Sequence, residues 1–160
     1  MDYEAFAKAY KSFPQLEKAR VNKWLPAAVE RNEIRFQRGD EAVTTSLTAQ
    51  GMNWEMREGT TVGPGQISVK NIHRLLCKYP QLTDAAQGGI DPKHPIQDAL
   101  KPDKAAWLVT AYLAEVVDNA NGKPISQEAL LKAYNPHANI KSQLKYVGEQ
   151  LDLIKKHHGQ

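Results

Sequence analysis

Apolar residues recur at helical spacing along most of the chain, and the interruptions fall at proline, glycine and asparagine. Residues 3–11 fit a short helix. Pro14 suits a first helical turn, and Leu16, Val21, Trp24, Leu25, Ala28 and Val29 then follow near helical spacing. This predicts an amphipathic helix over 14–34, kinked or split at Pro26. Gly39 and Asp40 break the pattern; Asp40 caps a further helix from Glu41 to about Gln50, and Gly51 ends it. Residues 52–65 carry little helical period and read as a small hairpin or an irregular loop. Ser68 to Tyr79 reads as a helix stopped by Pro80.

The second half follows the same grammar. Residues 81–102 hold Gly88, Gly89, Pro92, Pro95 and Pro102 and read as a loop-rich excursion, a place where function often resides. Asp103 is expected to cap AAWLVTAYLAEVV, which is apolar almost all round and therefore predicts a central buried helix. Ser126 caps QEALLKAY, which Asn135 and Pro136 stop. Ile140, Leu144, Val147, Leu151 and Ile154 are spaced by four, three, four and three, the stripe of a one-faced helix. The expected fold class is mainly α, as one domain over 1–160, with a small hairpin or irregular loop before the helix at 68. No internal repeat or low-complexity segment appears.

Composition narrows the function classes. The 160 residues are enough for one domain with a real core, and 41% hydrophobic with 24% charged residues is a globular balance. A net charge of +3 suits an anionic polymer without naming one, and no run of Lys and Arg forms a nucleic-acid arm. The one cysteine, Cys77, excludes an intrachain disulfide; among Leu75, Leu76 and Tyr79 it reads as a small buried apolar residue. No apolar run is long enough to span a bilayer. MDYEAFAKAYKSF starts acidic and lacks an apolar stretch, so no secretory signal is expected. His73, His94, His137, His157 and His158 lack zinc-ligand spacing, so no metal or cofactor is expected. There is no phosphate loop, dinucleotide fingerprint or G-x-S-x-G elbow.

The stretch TTVGPGQIS, at 60–68, carries the first chemical hint. Gly63, Pro64 and Gly65 permit a tight turn and close backbone approach, and Gln66 brings two donors and an acceptor. Three further pieces follow in order: Thr110-Ala111-Tyr112-Leu113-Ala114 on the buried helix, Lys132-Ala133-Tyr134-Asn135-Pro136, and Tyr146-Val147. With Gly63-Pro64-Gly65-Gln66-Ile67, this order resembles the lysozyme-like superfamily, in its soluble lytic transglycosylase and goose-type lysozyme branch. The corresponding family motifs are G-L-M-Q-I, A-x-x-Y-L-x-x-L, A-x-Y-N-A-G-P and a late Y-V. The resemblance covers about residues 38–150, behind an N-terminal helical segment at 1–37.

The resemblance implies a helical domain that binds peptidoglycan and cleaves the MurNAc–GlcNAc β-1,4 bond. Gln66, Gly63, Gly65, Thr60, Thr61, Tyr112, Tyr134 and Asn135 are its implied sugar-binding residues. Tyrosines suit that role, because they stack on a sugar face and hydrogen-bond with the hydroxyl. Tyr112 reads equally as a core residue, Trp107 as core, and Trp54 as either a sugar platform or packing. With no secretory signal, the implied route is synthesis in the cytoplasm and delivery to the cell wall or periplasm by phage or a secretion machine. A toxin of this kind implies an immunity or inhibitor protein.

The family's general acid is a glutamate in E-S-G-x-N, kept protonated by an apolar cleft. Matching Gly51 and Asn53 to that motif places the acid at Ala49, which has no proton to give. Three explanations stand: a glutamate replaced by engineering, a natural glycan binder that does not cleave, or a shifted register in which Glu55 or Glu58 is the acid. Glu58 lies nine residues after Ala49 and shortly before Thr60 and Thr61, the spacing of a second carboxylate that positions water in some phage-type lysozymes. Glu55 and Glu58 also read as solvated loop charges beside Arg57. The rival functions are a chitinase or chitosanase-like hydrolase, a non-catalytic glycan- or protein-binding module with a degenerate lysozyme fold, and a helical nucleic-acid binder.

Overall fold

The computed structural model describes residues 1–35 and 59–160. The expected helix at 41–50 and the positions Ala49, Trp54, Glu55 and Glu58 lie outside them. The described part is mainly helical, with one short hairpin. In order it comprises α1 (Tyr3–Ser12), α2 (Pro14–Lys18), α3 (Leu25–Arg35), β1 (Thr61–Val62), β2 (Ile67–Ser68) and α4 (Val69–Lys78). Two 3-10 turns, Pro80–Thr83 and Ala85–Gln87, lead to α5 (Pro95–Asp98), α6 (Pro102–Asn119), α7 (Gln127–Tyr134) and α8 (Ile140–His158).

Helix α6 is the axis of the molecule, as its all-round apolar sequence requires. Trp107, Leu108, Val109 and Leu113 are buried in its middle, and Ala105, Ala106, Ala111 and Ala114 let neighbouring helices come close. Helices α1, α2, α3 and α7 pack on it, and α8 packs on α3 and α7. Burying side chains such as Trp107, Phe6 and Phe13 contributes about 1.5–3 kcal/mol each before the entropy cost. The N-terminal helices belong to this same core. The start of α6 differs from expectation: Pro102 takes the first position and Lys101 is the cap residue, so Asp103 sits inside the first turn, where its charge favours the helix dipole.

The long amphipathic stretch at 14–34 is split rather than kinked. The break falls at Arg20, whose φ of 60° is left-handed. Arg20 N–H donates to the Glu17 carbonyl at 2.9 Å, and Val21 N–H donates to the Leu16 carbonyl at 2.9 Å. That pair of bonds is a Schellman ending, closed by the buried apolar residues Leu16 and Val21. Pro26 then falls in the first turn of α3, where its missing N–H costs nothing. Side chains of Asp2, Ser68, Ser126 and Asn139 cap α1, α4, α7 and α8, each accepting a backbone N–H.

Cys77 is exposed, contrary to the expectation that it is buried. The buried stripe of α4 runs through Val69, Ile72 and Leu75, and Cys77, two residues beyond Leu75, turns away from it.

The hairpin is set by its glycines. Thr61 pairs with Ser68 and Val62 with Ile67, leaving Gly63-Pro64-Gly65-Gln66 as the turn. Gly63 has φ 71°, and a Cβ there would lie 2.1 Å from the Ala99 carbonyl oxygen. A Cβ on Gly65 would lie 2.7 Å from Cγ2 of Val109 and 3.2 Å from the Tyr134 hydroxyl oxygen. The turn is thus wedged against the end of α5, the middle of α6 and the end of α7. Gly63→Ala combines left-handed strain with a clash against backbone, and a loss of about 2–5 kcal/mol is expected. A urea-unfolding midpoint within error of the parent's would contradict this packing.

Candidate functional site

A cavity of about 420 Å³ opens beside the hairpin, between α3, α4, α6 and the end of α7. Its wall includes Thr61, Gln66, Ile67, Ser68 and Asn71 on the hairpin side, Tyr112, Tyr134 and Asn135 opposite, and Glu33 from α3. Pro136 and His137 also line it. The volume falls in the range of about 300–1,000 Å³ usual for small-molecule sites.

Of the residues implied by the sequence, Gln66, Thr61, Tyr112, Tyr134 and Asn135 come together here. Thr60 does not line the cavity; its carbonyl accepts the Val69 N–H at 2.9 Å and ties the hairpin to α4. Gly63 and Gly65 do not line it either. The space their missing side chains leave is filled by protein, so the glycines shape the wall rather than admit a sugar.

The wall is held rigidly. The Gln66 amide donates through Nε2 to the Gly63 carbonyl at 2.8 Å, and its Oε1 accepts from the Thr61 hydroxyl at 2.8 Å. Gln66 itself has φ 50°, a left-handed conformation unusual for a non-glycine residue and of the kind that clusters at functional sites. The Tyr134 hydroxyl donates to the Gly65 carbonyl at 2.6 Å. Burial, then the charges of Glu33, Glu30 and Tyr112, hold the Tyr134 phenol well above its ordinary pKa, so it stays a neutral donor. Tyr112 lies 5.0 Å from Tyr134 between ring centroids, tilted by 54°, and is partly buried. Its hydroxyl accepts from Asn71 Nδ2 at 3.4 Å.

Two carboxyl groups on α3, one turn apart, are the residues that sequence reasoning missed. Glu33 is 6% exposed and lines the cavity, with Asn135 Nδ2 at 3.5 Å from its Oε1. Among the described residues it is the one carboxylate in the cavity wall. Glu30 is 0% exposed, and neither of its oxygens has a hydrogen-bond partner among the described residues. Burial pushes its pKa up to about 8, against a smaller downward pull from the N-terminal amine. The signal available in the sequence was the i, i+3 spacing of two glutamates in LPAAVERNEIR behind a fully apolar first turn.

The described residues contain no cluster of metal-ligating side chains. None of the described helices is long and apolar enough to cross a membrane. No protein-family model matches the chain, and neither do any curated protein and any solved structure.

Proposed function

We propose that the cavity is a glycan-binding cleft in which Glu33 is the general acid for cleavage of a β-1,4 glycosidic bond, with peptidoglycan as the polymer. The observation that carries this reading is the position of Glu33. It is a nearly enclosed carboxyl group facing a pocket walled by two tyrosines and by the amides of Gln66, Asn71 and Asn135. Aromatic faces with fixed amides and hydroxyls suit a sugar ring, which is apolar on its faces and polar at its rim. The motif order GPGQI, TAYLA and KAYNP supports the lysozyme-like assignment, and the acid moves from position 49 to Glu33.

The chemistry balances with one acid. The Glu33 carboxyl proton passes to the glycosidic oxygen as the bond from the anomeric carbon breaks. The positive charge that develops on the ring is then quenched in one of two ways. The sugar's own 6-hydroxyl attacks and returns its proton to the Glu33 carboxylate, giving an anhydro end; or water attacks and returns one of its protons to the same carboxylate, giving a reducing end. The first route needs only Glu33, whereas hydrolysis by inversion uses a second carboxylate to activate water. Digestion of purified peptidoglycan followed by mass spectrometry of the released fragments tests this reading. Fragments with anhydro ends are expected; reducing ends would assign hydrolysis, and no fragments at all would leave a glycan binder or overturn the assignment.

A further inference from the structure

Helix α4 leaves the cavity carrying only one sign of charge. Its sequence, VKNIHRLLCK, holds Lys70, His73, Arg74 and Lys78 and no acidic residue, and all four are exposed. Asn71, in its first turn, lines the cavity. Arg74 stands one turn further along and donates through Nη1 to the Asn71 Oδ1, which turns the Asn71 Nδ2 toward the Tyr112 hydroxyl. The polar wall therefore continues without a break from the cavity onto this helix.

Arg74 is anchored but not used up. Its Nε and Nη2 donate to the two oxygens of the buried Glu115, at 3.1 and 2.5 Å. Lys78 reaches the same carboxylate at 3.4 Å. Burial alone would raise the Glu115 pKa, but the Arg74 hydrogen bond and charge outweigh it and hold the group ionised. Two cations thus share one carboxylate and leave a net positive charge. Three of the five guanidinium N–H groups are engaged with Asn71 and Glu115, the Tyr112 side chain lies alongside, and the Arg74 side chain is still 43% exposed. Lys70, one turn before Arg74, has no ion-pair partner among the described residues. This is a planar donor fixed in orientation by a buried carboxylate, the arrangement that suits a second carboxylate from outside.

We propose that the basic face of α4, centred on Arg74 and continuous with the cavity through Asn71, is a subsite for carboxylates carried by the glycan, and that it selects an acidic strand over a neutral one. This deepens the glycan-cleft reading and rests on it. The carboxylates have two sources in peptidoglycan, the lactyl group on the sugar and the attached peptide.

Titration calorimetry at low salt tests the subsite, using Glu33→Gln so that ligands stay intact. The probes are a peptide-free acidic tetrasaccharide of peptidoglycan, the same with its carboxylates reduced to alcohols, the peptide-bearing form, and a neutral N-acetylglucosamine tetramer. The acidic forms are expected to bind about 3- to 10-fold more tightly than the reduced and neutral ones, with the advantage falling as salt is added. A gain in the peptide-free form assigns the sugar carboxylate as the source; a gain in the peptide-bearing form alone assigns the peptide. Arg74→Gln should remove most of the preference. Lys70→Gln, which breaks no ion pair within the described residues, should reduce it without affecting folding. Equal binding of acidic and reduced ligands overturns the subsite while leaving the glycan cleft standing. Binding of none of the four overturns the cleft reading and the subsite with it.

Discussion

Glu33→Gln is expected to lower the release of fragments from peptidoglycan at least about 100-fold, the usual contribution of a general acid. Glutamine keeps the shape of the side chain and an oxygen for the Asn135 amide, 3.5 Å away, but has no proton to give at the working pH. Binding of uncleaved glycan should therefore survive, so kcat falls while KM changes little. Ala49→Glu is the informative companion. If Glu33 is the acid, adding a carboxyl at position 49 gives no new activity. Activity that appears only in Ala49→Glu would return the acid to the register read from Gly51 and Asn53.

The second large effect concerns Glu30 and is read in stability. Its pKa is raised to about 8 in the folded chain from an ordinary value near 4.5. Below 4.5 the carboxyl is protonated in both folded and unfolded chains and contributes no pH dependence. Between 4.5 and about 8 the folded chain holds a proton that the unfolded chain has released, so stability falls as pH rises. Above 8 both are ionised and the loss is complete. The window corresponds to roughly 3–5 kcal/mol, or a fall in Tm on the order of 10 °C between pH 5 and pH 8.5. Glu30→Gln should flatten that slope, because the amide does not titrate. A Tm profile in Glu30→Gln as steep as the parent's would mean that another group is responsible.

Much of the framework was legible in the sequence because apolar periodicity reports burial directly. The stripe from Ile140 to Ile154 gave α8, and the largely apolar run from Ala105 to Val117 gave the central helix. The capping residues Ser68 and Ser126 fixed helix starts for a local reason, a side-chain oxygen satisfying a free N–H. The hairpin around Gly63 and Gly65 was legible as a turn but not in its purpose. Which way a glycine's open face points depends on Ala99, Val109 and Tyr134, all distant in sequence. The break at Arg20 was hidden because a left-handed arginine leaves no compositional mark.

The carboxyl groups were harder to read, and for a clear physical reason. Periodicity assigns charged residues to the solvent face, and α3, packed on α6 and α8, buries Glu30 and Glu33 instead. Burying a carboxyl group costs stability, so the exceptions are concentrated where chemistry needs them. The tyrosines, Gln66 and Asn135 were singled out by motif order, and they line one cavity with Glu33, which the motif register had passed over.

The measurement that tests the central proposal most directly is a backbone amide NMR titration of Glu33→Gln with an uncleaved peptidoglycan tetrasaccharide. Shift changes are expected at Thr61, Gln66, Ser68, Asn71, Tyr112, Tyr134 and Asn135, the residues that line the cavity. Changes confined to other faces of the molecule, or none at millimolar ligand, would contradict the glycan cleft.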